Sequence, residues 1–190
     1  MGANILIKAL GEEGEAAPVR AAVAACAPLE LAPCAEKLRT GFARVYQDKL
    51  LRGLYEMLKR KHGPVPVPPP ASLEAALKAK DFFAYDDAYT APINGYRDSA
   101  EYYARCSSGQ FLAHIRRPTL VVNAADDPFM VPSILPDATR LAPQVTLEVA
   151  SHGGHVGFVA AGPGMRPRWW LEERLESFLV NTHQTLVGGA

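Results

Sequence analysis

The sequence has only three cysteines, Cys26, Cys34 and Cys106, and no CxxC pair or disulfide-like framework can be drawn from them. Reduced thiols are therefore expected, in a reducing compartment such as the cytoplasm. No sign of charge is in excess, because 20 Lys plus Arg offset 20 Asp plus Glu. A chain without a basic surplus holds a phosphate backbone poorly, which removes nucleic acid from the expected partners. No run of about 18 consecutive apolar residues is present, and no signal peptide opens the chain, so neither a transmembrane segment nor secretion is expected of it. What is there, 48% hydrophobic and 21% charged residues over 190 positions, suits one globular domain.

The order of patterns along the chain suggests an α/β architecture. Asn4-Ile-Leu-Ile-Lys-Ala-Leu10 reads as a short buried helix stopped by Gly11. Val19 to Cys26 is an apolar run whose length and valines fit a strand covered on both faces, with a helix as the alternative that its alanines keep open. From about Leu38 to Lys61 the spacing of Leu50, Leu51, Leu54, Tyr55 and Leu58 predicts a helix. Lys59-Arg60-Lys61-His62 closes it with cations suited to the negative end of the helix dipole. Gly63 to Pro70 is proline-rich and reads as an extended spacer. Ser72 caps a second helix to Lys80, and Asp98-x-x-Glu101 is a capping box that opens a third through Tyr102 and Tyr103. These tyrosines read as packing residues.

The last third changes character. Pro118 to Ala125 is strongly strand-like, Ser133 to Leu141 suits a short helix, Val145 to Val149 is a further strand, and Trp169 to Leu179 an amphipathic helix. Strands alternating with helices over short connections predict a parallel sheet, whose ligands bind beyond the carboxyl ends of the strands. Asp126 and Asp127 follow one such end, and His152 and His155 the next.

A right-handed crossover places those strands side by side and brings their loops together. A carboxylate beside an imidazole there can fix the ring's tautomer and steady the imidazolium when it takes a proton, which serves a nucleophile from a third loop. Each part has a plainer reading. Asp-Asp-Pro is good turn chemistry, and His-Gly-Gly-His can be a flexible loop or, with Asp126, a weak metal site. The nucleophile is not evident. Ser107, Ser108, Ser133 and Ser151 look like cap or turn residues outside any G-x-S-x-G context, and Cys26 follows a strand but reads as a core thiol.

Four stretches carry a resemblance: Met1-Gly-Ala-Asn-Ile-Leu-Ile-Lys8, Tyr89-Thr-Ala-Pro-Ile-Asn-Gly-Tyr96, Asn123-Ala-Ala-Asp-Asp-Pro-Phe-Met130 and His152-Gly-Gly-His-Val-Gly-Phe158. In this order they resemble the YheT-like α/β-hydrolase group, which includes the eukaryotic ABHD1/ABHD3-type esterases and lipases. The resemblance implies a partial α/β-hydrolase fold: the C-terminal strands of a parallel sheet with flanking helices and a helical cap over about residues 35–110. It implies a serine hydrolase of carboxylic esters, acting on short-chain esters, acylglycerols or phospholipids, with Asp127 as triad acid and His155 as general base. Asp126 and His152 are the neighbours not assigned a role.

Met1-Gly-Ala-Asn4 resembles the residues directly after the serine of a G-x-S-[LM]-G-[GA]-N elbow, so Met1 and Gly2 are the expected elbow and oxyanion positions. The expectation is a chain that begins just past its nucleophile. Its oxyanion position carries the terminal amine of Met1 in place of an amide, and the chain by itself is inactive. The alternative is a non-catalytic hydrolase remnant that binds a ligand or partner, against which the unpaired edges of a three-stranded sheet weigh. The expected partner is a small-molecule ester or lipid, and no cofactor or metal is implied.

Overall fold

Asn4, Ile7 and Leu10 recur every three residues, so a helix turns all three to one side, and all three are buried in α1 (Gly2–Glu13). The helix does not stop at Gly11 as its sequence suggests. A Cβ at Gly11 would lie 2.6 Å from both Cβ and O of Phe111. The glycine is there to let the Ser108–His114 3₁₀ segment approach the helix, and the chain leaves the helix only at Gly14, in a left-handed conformation with φ 54°. The following apolar run gives a strand, β1 (Ala22–Ala25), shorter than the Val19–Cys26 expected. The computed structural model describes residues 1–63 and 65–188, which divide into two units, Met1–Glu30 with Ser107–Ala190 and, between them in sequence, Leu31–Cys106. Pro64 of the proline-rich connector and residues 189–190 lie outside the described residues.

The Leu31–Cys106 unit is helical. α2 (Leu31–Leu38) ends in a turn at Gly41, φ 54°, and α3 (Ala43–His62) follows, so the single helix expected from about Leu38 begins later, after a break. Leu51 and Leu58 form its buried face, whereas Leu50 is exposed. His62 is not solvated at the helix end: it is buried, its Nδ1 3.1 Å from the Val65 carbonyl and its Nε2 2.9 Å from the Tyr89 hydroxyl. α4 (Leu73–Lys78) is capped as expected, the Ala75 amide donating to Ser72 Oγ at 3.2 Å. α5 (Phe82–Tyr85) and α6 (Ala91–Ile93), which periodicity did not reveal, are joined by a π-helical turn, Asp86–Thr90. Pro92 explains that turn. It has no N–H to give to the carbonyl four residues back, and the Ala88 carbonyl instead accepts from the Ser72 amide at 2.8 Å. α7 (Ser99–Cys106) opens with Asp98 accepting from the Glu101 amide, and the Glu101 carboxylate accepts from the Arg97 amide. Tyr103 is buried and donates to Asp86 at 2.6 Å.

The remaining strands complete the first unit's sheet. β2 (Thr119–Ala124) is buried along its whole length, and β3 (Val145–Ala150) is half-covered. Both pairings are parallel, in the order β1-β2-β3, with Ala25 opposite Val122 and Ala124 opposite Ala150. A central strand covered on both faces has to be apolar throughout, which is why Leu120, Val121 and Val122 stand in succession.

The Ser133–Leu141 segment between β2 and β3 is not an α-helix. Pro136 interrupts it and holds Leu135 extended, and two 3₁₀ turns, Pro132–Ile134 and Ala138–Arg140, stand in its place. Ile7, Leu10, Ala22, Ala24, Leu112, Ile115, Val121 and Val145 share one core. Burying a leucine or isoleucine there stabilises by about 1.5–3 kcal/mol. A small antiparallel ribbon, β4 (Val159–Ala161) with β5 (Pro167–Trp169), was not foreseen. It leads into α8 (Trp170–Gly188), which runs past the expected end at Leu179. Arg174 of α8 makes a two-toothed ion pair with Glu148 of β3, and Trp170 stacks on Phe158. Among the described residues no helix is long and apolar enough to cross a membrane.

Candidate active site

The parallel sheet delivers three chain ends to one edge. Cys26 follows β1, Asp126 and Asp127 follow β2, and the loop 151–158 follows β3. Arg117, just ahead of β2, donates to the carbonyls of Glu15 and Ala17, so the far end of α1 lies at the amino ends of the strands. Met1 and Gly2 stand at the opposite end of that helix. Met1 is exposed, its carbonyl accepts from the Ile5 amide at 3.1 Å, and no acidic side chain occupies the first turn. No side chain of that first turn is an anion that would offset the positive end of the helix dipole.

Asp127 is held rigidly for a loop residue. Its carboxylate is buried, with Oδ1 accepting from the Phe129 amide at 2.8 Å, an Asx turn, and Oδ2 lying 2.9 Å from His155 Nδ1. Because the carboxylate accepts, Nδ1 carries the hydrogen and Nε2 keeps its lone pair. The Phe129 ring lies against the imidazole, centroids 4.3 Å apart, and the His155 side chain is one-third exposed. The result is a positioned, partly accessible imidazole whose bare nitrogen can take up a proton.

Asp126 does different work. Its Oδ1 accepts from the amides of Gly153 and Gly154, each at 2.9 Å, which clamps the loop that carries His155. The bond from Gly154, then that from Gly153, holds its carboxyl below the usual carboxylate range. Gly153 can take no side chain, since a Cβ there would lie 2.6 Å from the Phe158 ring. His152 stands in solvent, 3.6 Å from Asp126 Oδ2. The two histidines thus face different aspartates, and the metal grouping considered from sequence, Asp126 with both histidines, does not assemble.

Cys26 is buried, as a core thiol is expected to be, and its neighbours are what the sequence did not show. The thiol does not stand apart in the core: Sγ accepts from the Val156 amide at 3.3 Å and lies with the Asp127 and His155 donor atoms inside a 4.8 Å cluster. Both Cys26 (φ 50°) and Val156 (φ 58°) take the left-handed backbone region that costs L-residues about 1–2 kcal/mol. Burial pushes the Cys26 thiol pKa up, opposed by the Val156 amide and reinforced by the Asp127 charge. The only signal available in the sequence was its position one residue past a strand end. Ser133 and Ser151 are exposed, and Ser108 is buried with its amide donating to Asn4 Oδ1 at 3.0 Å.

An acid–imidazole pair on successive parallel strand ends is the arrangement of a hydrolytic α/β fold. Residues 1–161 match the family model described as the alpha/beta hydrolase fold. The chain belongs to that family, in its YheT- and ABHD-type group. It is 40% identical over 95% of its length to "Putative esterase YheT" of Escherichia coli (strain K12), of which it covers 53%. It is 28% identical over 98% of its length to the monoacylglycerol lipase of Saccharomyces cerevisiae, covering 42% of that protein. Over 88% of its length it is 28% identical to the phospholipase ABHD3 of Mus musculus, covering 40%. The chain thus spans about half the length of the curated relatives it matches. No solved structure matches it.

Proposed function

We propose that this chain supplies the acid and the base of a Ser-Asp-His carboxylic ester hydrolase, with Asp127 as the acid and His155 as the base. The carrying observation is the 2.9 Å bond from His155 Nδ1 to the buried Asp127 carboxylate. Relatives named as an esterase, a monoacylglycerol lipase and a phospholipase share one reaction, cleavage of a carboxylic ester, and support that substrate class.

In the proposed reaction His155 Nε2 takes the proton of a serine hydroxyl as the serine oxygen attacks the ester carbonyl. The imidazolium, steadied by Asp127, then gives that proton to the departing alcohol. Water, activated by the same nitrogen, releases the acid and restores the serine. The oxyanion formed on the way is assigned to the amino end of α1, where Met1 and Gly2 stand and the helix dipole favours negative charge. The helical unit Leu31–Cys106, inserted in sequence between β1 and β2, is read as the cap that selects the acyl group.

The serine is the one member of the triad that the 190 residues do not offer on an elbow, so the polypeptide by itself is expected to show no turnover. The test is a chimera in which whatever part of the E. coli relative precedes its matched segment is joined ahead of Met1. Hydrolysis of p-nitrophenyl esters and monoacylglycerol by the chimera is expected, and His155→Ala is expected to lower kcat by at least about 10³-fold. Turnover by the folded chimera that persists in His155→Ala would overturn the assignment.

A further inference from the structure

The residues of the dyad have a third neighbour that ester hydrolysis does not use. We propose that Cys26 Sγ, the Asp127 carboxylate and the His155 imidazole together form a binding site for one divalent cation of the zinc class. Each comes from the end of a different strand of the β1-β2-β3 sheet, and their donor atoms lie within 4.8 Å of one another.

The chemistry of the set is selective. A thiolate, a carboxylate and an imidazole are ligands of zinc, cobalt and cadmium, whereas magnesium and calcium take oxygen donors. Zinc bonds of about 2.0–2.3 Å set tetrahedral donors about 3.3–3.8 Å apart, so donors that all lie within 4.8 Å close by at most about 1–1.5 Å, and the 2.9 Å contact of His155 Nδ1 with Asp127 opens slightly to admit the metal. The His155 side chain, one-third exposed on its loop, is the member able to make that movement, while Cys26 and Asp127 are buried on strand ends.

Charge closes as well. Binding expels the Cys26 proton to solvent, and the thiolate and carboxylate together neutralise a dication, which removes the penalty of burying either anion alone. Outer bonds that steady metal ligands are already in place: the Val156 amide donates to Sγ, and the Phe129 amide donates to Asp127 Oδ1. Three protein ligands leave a fourth position for water.

The consequence for turnover rests on the role proposed above for His155. A metal on Nε2 takes the lone pair that would receive the serine proton, and a metal on Nδ1 displaces the bond to Asp127. By either route cation binding and proton transfer exclude each other, and the cation acts as an inhibitor.

The experiment is a Co²⁺ titration of the 190-residue chain, followed by absorption spectroscopy and then by competition with Zn²⁺. One equivalent is expected to give a near-ultraviolet thiolate-to-cobalt band with the visible bands of tetrahedral cobalt, and Zn²⁺ is expected to erase both. Cys26→Ser should abolish the thiolate band. Cys34→Ser, Cys106→Ser and His152→Ala should retain it, with circular dichroism reporting the fold of each variant. His155→Ala, which keeps every thiol and changes a partly exposed side chain, should weaken binding at least about tenfold. No thiolate band at stoichiometric cobalt, a band that survives in folded Cys26→Ser, or unchanged affinity in His155→Ala would each overturn the site. These readouts involve no ester, so such a failure would leave the hydrolase reading standing, and failure of the chimera to turn over would leave this one standing.

Discussion

Asp126 and Asp127 are adjacent and chemically identical, and their surroundings divide the work between them. Asp127 is buried and holds the imidazole, while Asp126 is solvated and holds the loop. Because the Gly154 and Gly153 amides lower the Asp126 pKa, its hold on the loop is complete above the ordinary carboxylate range and is lost as pH falls through the lowered value. Asp126→Ala is therefore expected to speed hydrogen exchange at the Gly153 and Gly154 amides by about tenfold at neutral pH. Unchanged exchange would place the loop's order elsewhere.

Asp86 shows the opposite sign. Burial raises its pKa more than the bonds from Thr90 and Tyr103 lower it, so the ionised form costs native stability at neutral pH. Asp86→Asn, which still accepts from the Tyr103 hydroxyl, is expected to stabilise by about 0.5–1 kcal/mol in denaturant unfolding at pH 7. The gain should shrink as pH falls through the raised pKa and wild-type Asp86 becomes protonated. A loss of stability at pH 7 would contradict this.

At the level of elements, Gly11 shows how packing overrides a local rule. Its expected role as a helix stop follows from intrinsic propensity, whereas the close approach of Phe111 makes it an interior residue of α1. Gly11→Ala should gain about 1 kcal/mol of helix propensity yet lose about 1–3 kcal/mol to overpacking, for a net fall in the midpoint of thermal unfolding. A raised midpoint would show that the 3₁₀ segment yields freely.

The same contrast separates what the sequence revealed from what it hid. β2 was legible because burial on both faces demands an unbroken apolar run, and the Ser72 and Asp98 caps because a cap is local chemistry. The Ser133–Leu141 helix failed because Pro136 cuts a pattern whose composition looked helical. The π turn at Asp86–Thr90 depends on a bond between Ser72 and Ala88, which no periodicity reports.

Across the whole molecule, the site exists because three parallel strands end on one side. Asp127 and His155 could be paired from sequence, since their loops follow consecutive strands, and the structure brings their side chains into hydrogen-bond contact. Cys26 could not, because its amide partner Val156 is 130 residues away and strand order is not written in either segment. The account stands or falls on whether Asp127 orients a working base. The measurement that asks this most directly is kcat for p-nitrophenyl ester hydrolysis by the chimera carrying Asp127→Asn, beside the unaltered chimera. The account predicts a fall of about 10⁴-fold with the fold intact, as the wrong imidazole tautomer is stabilised. Equal turnover by the folded variant would contradict it.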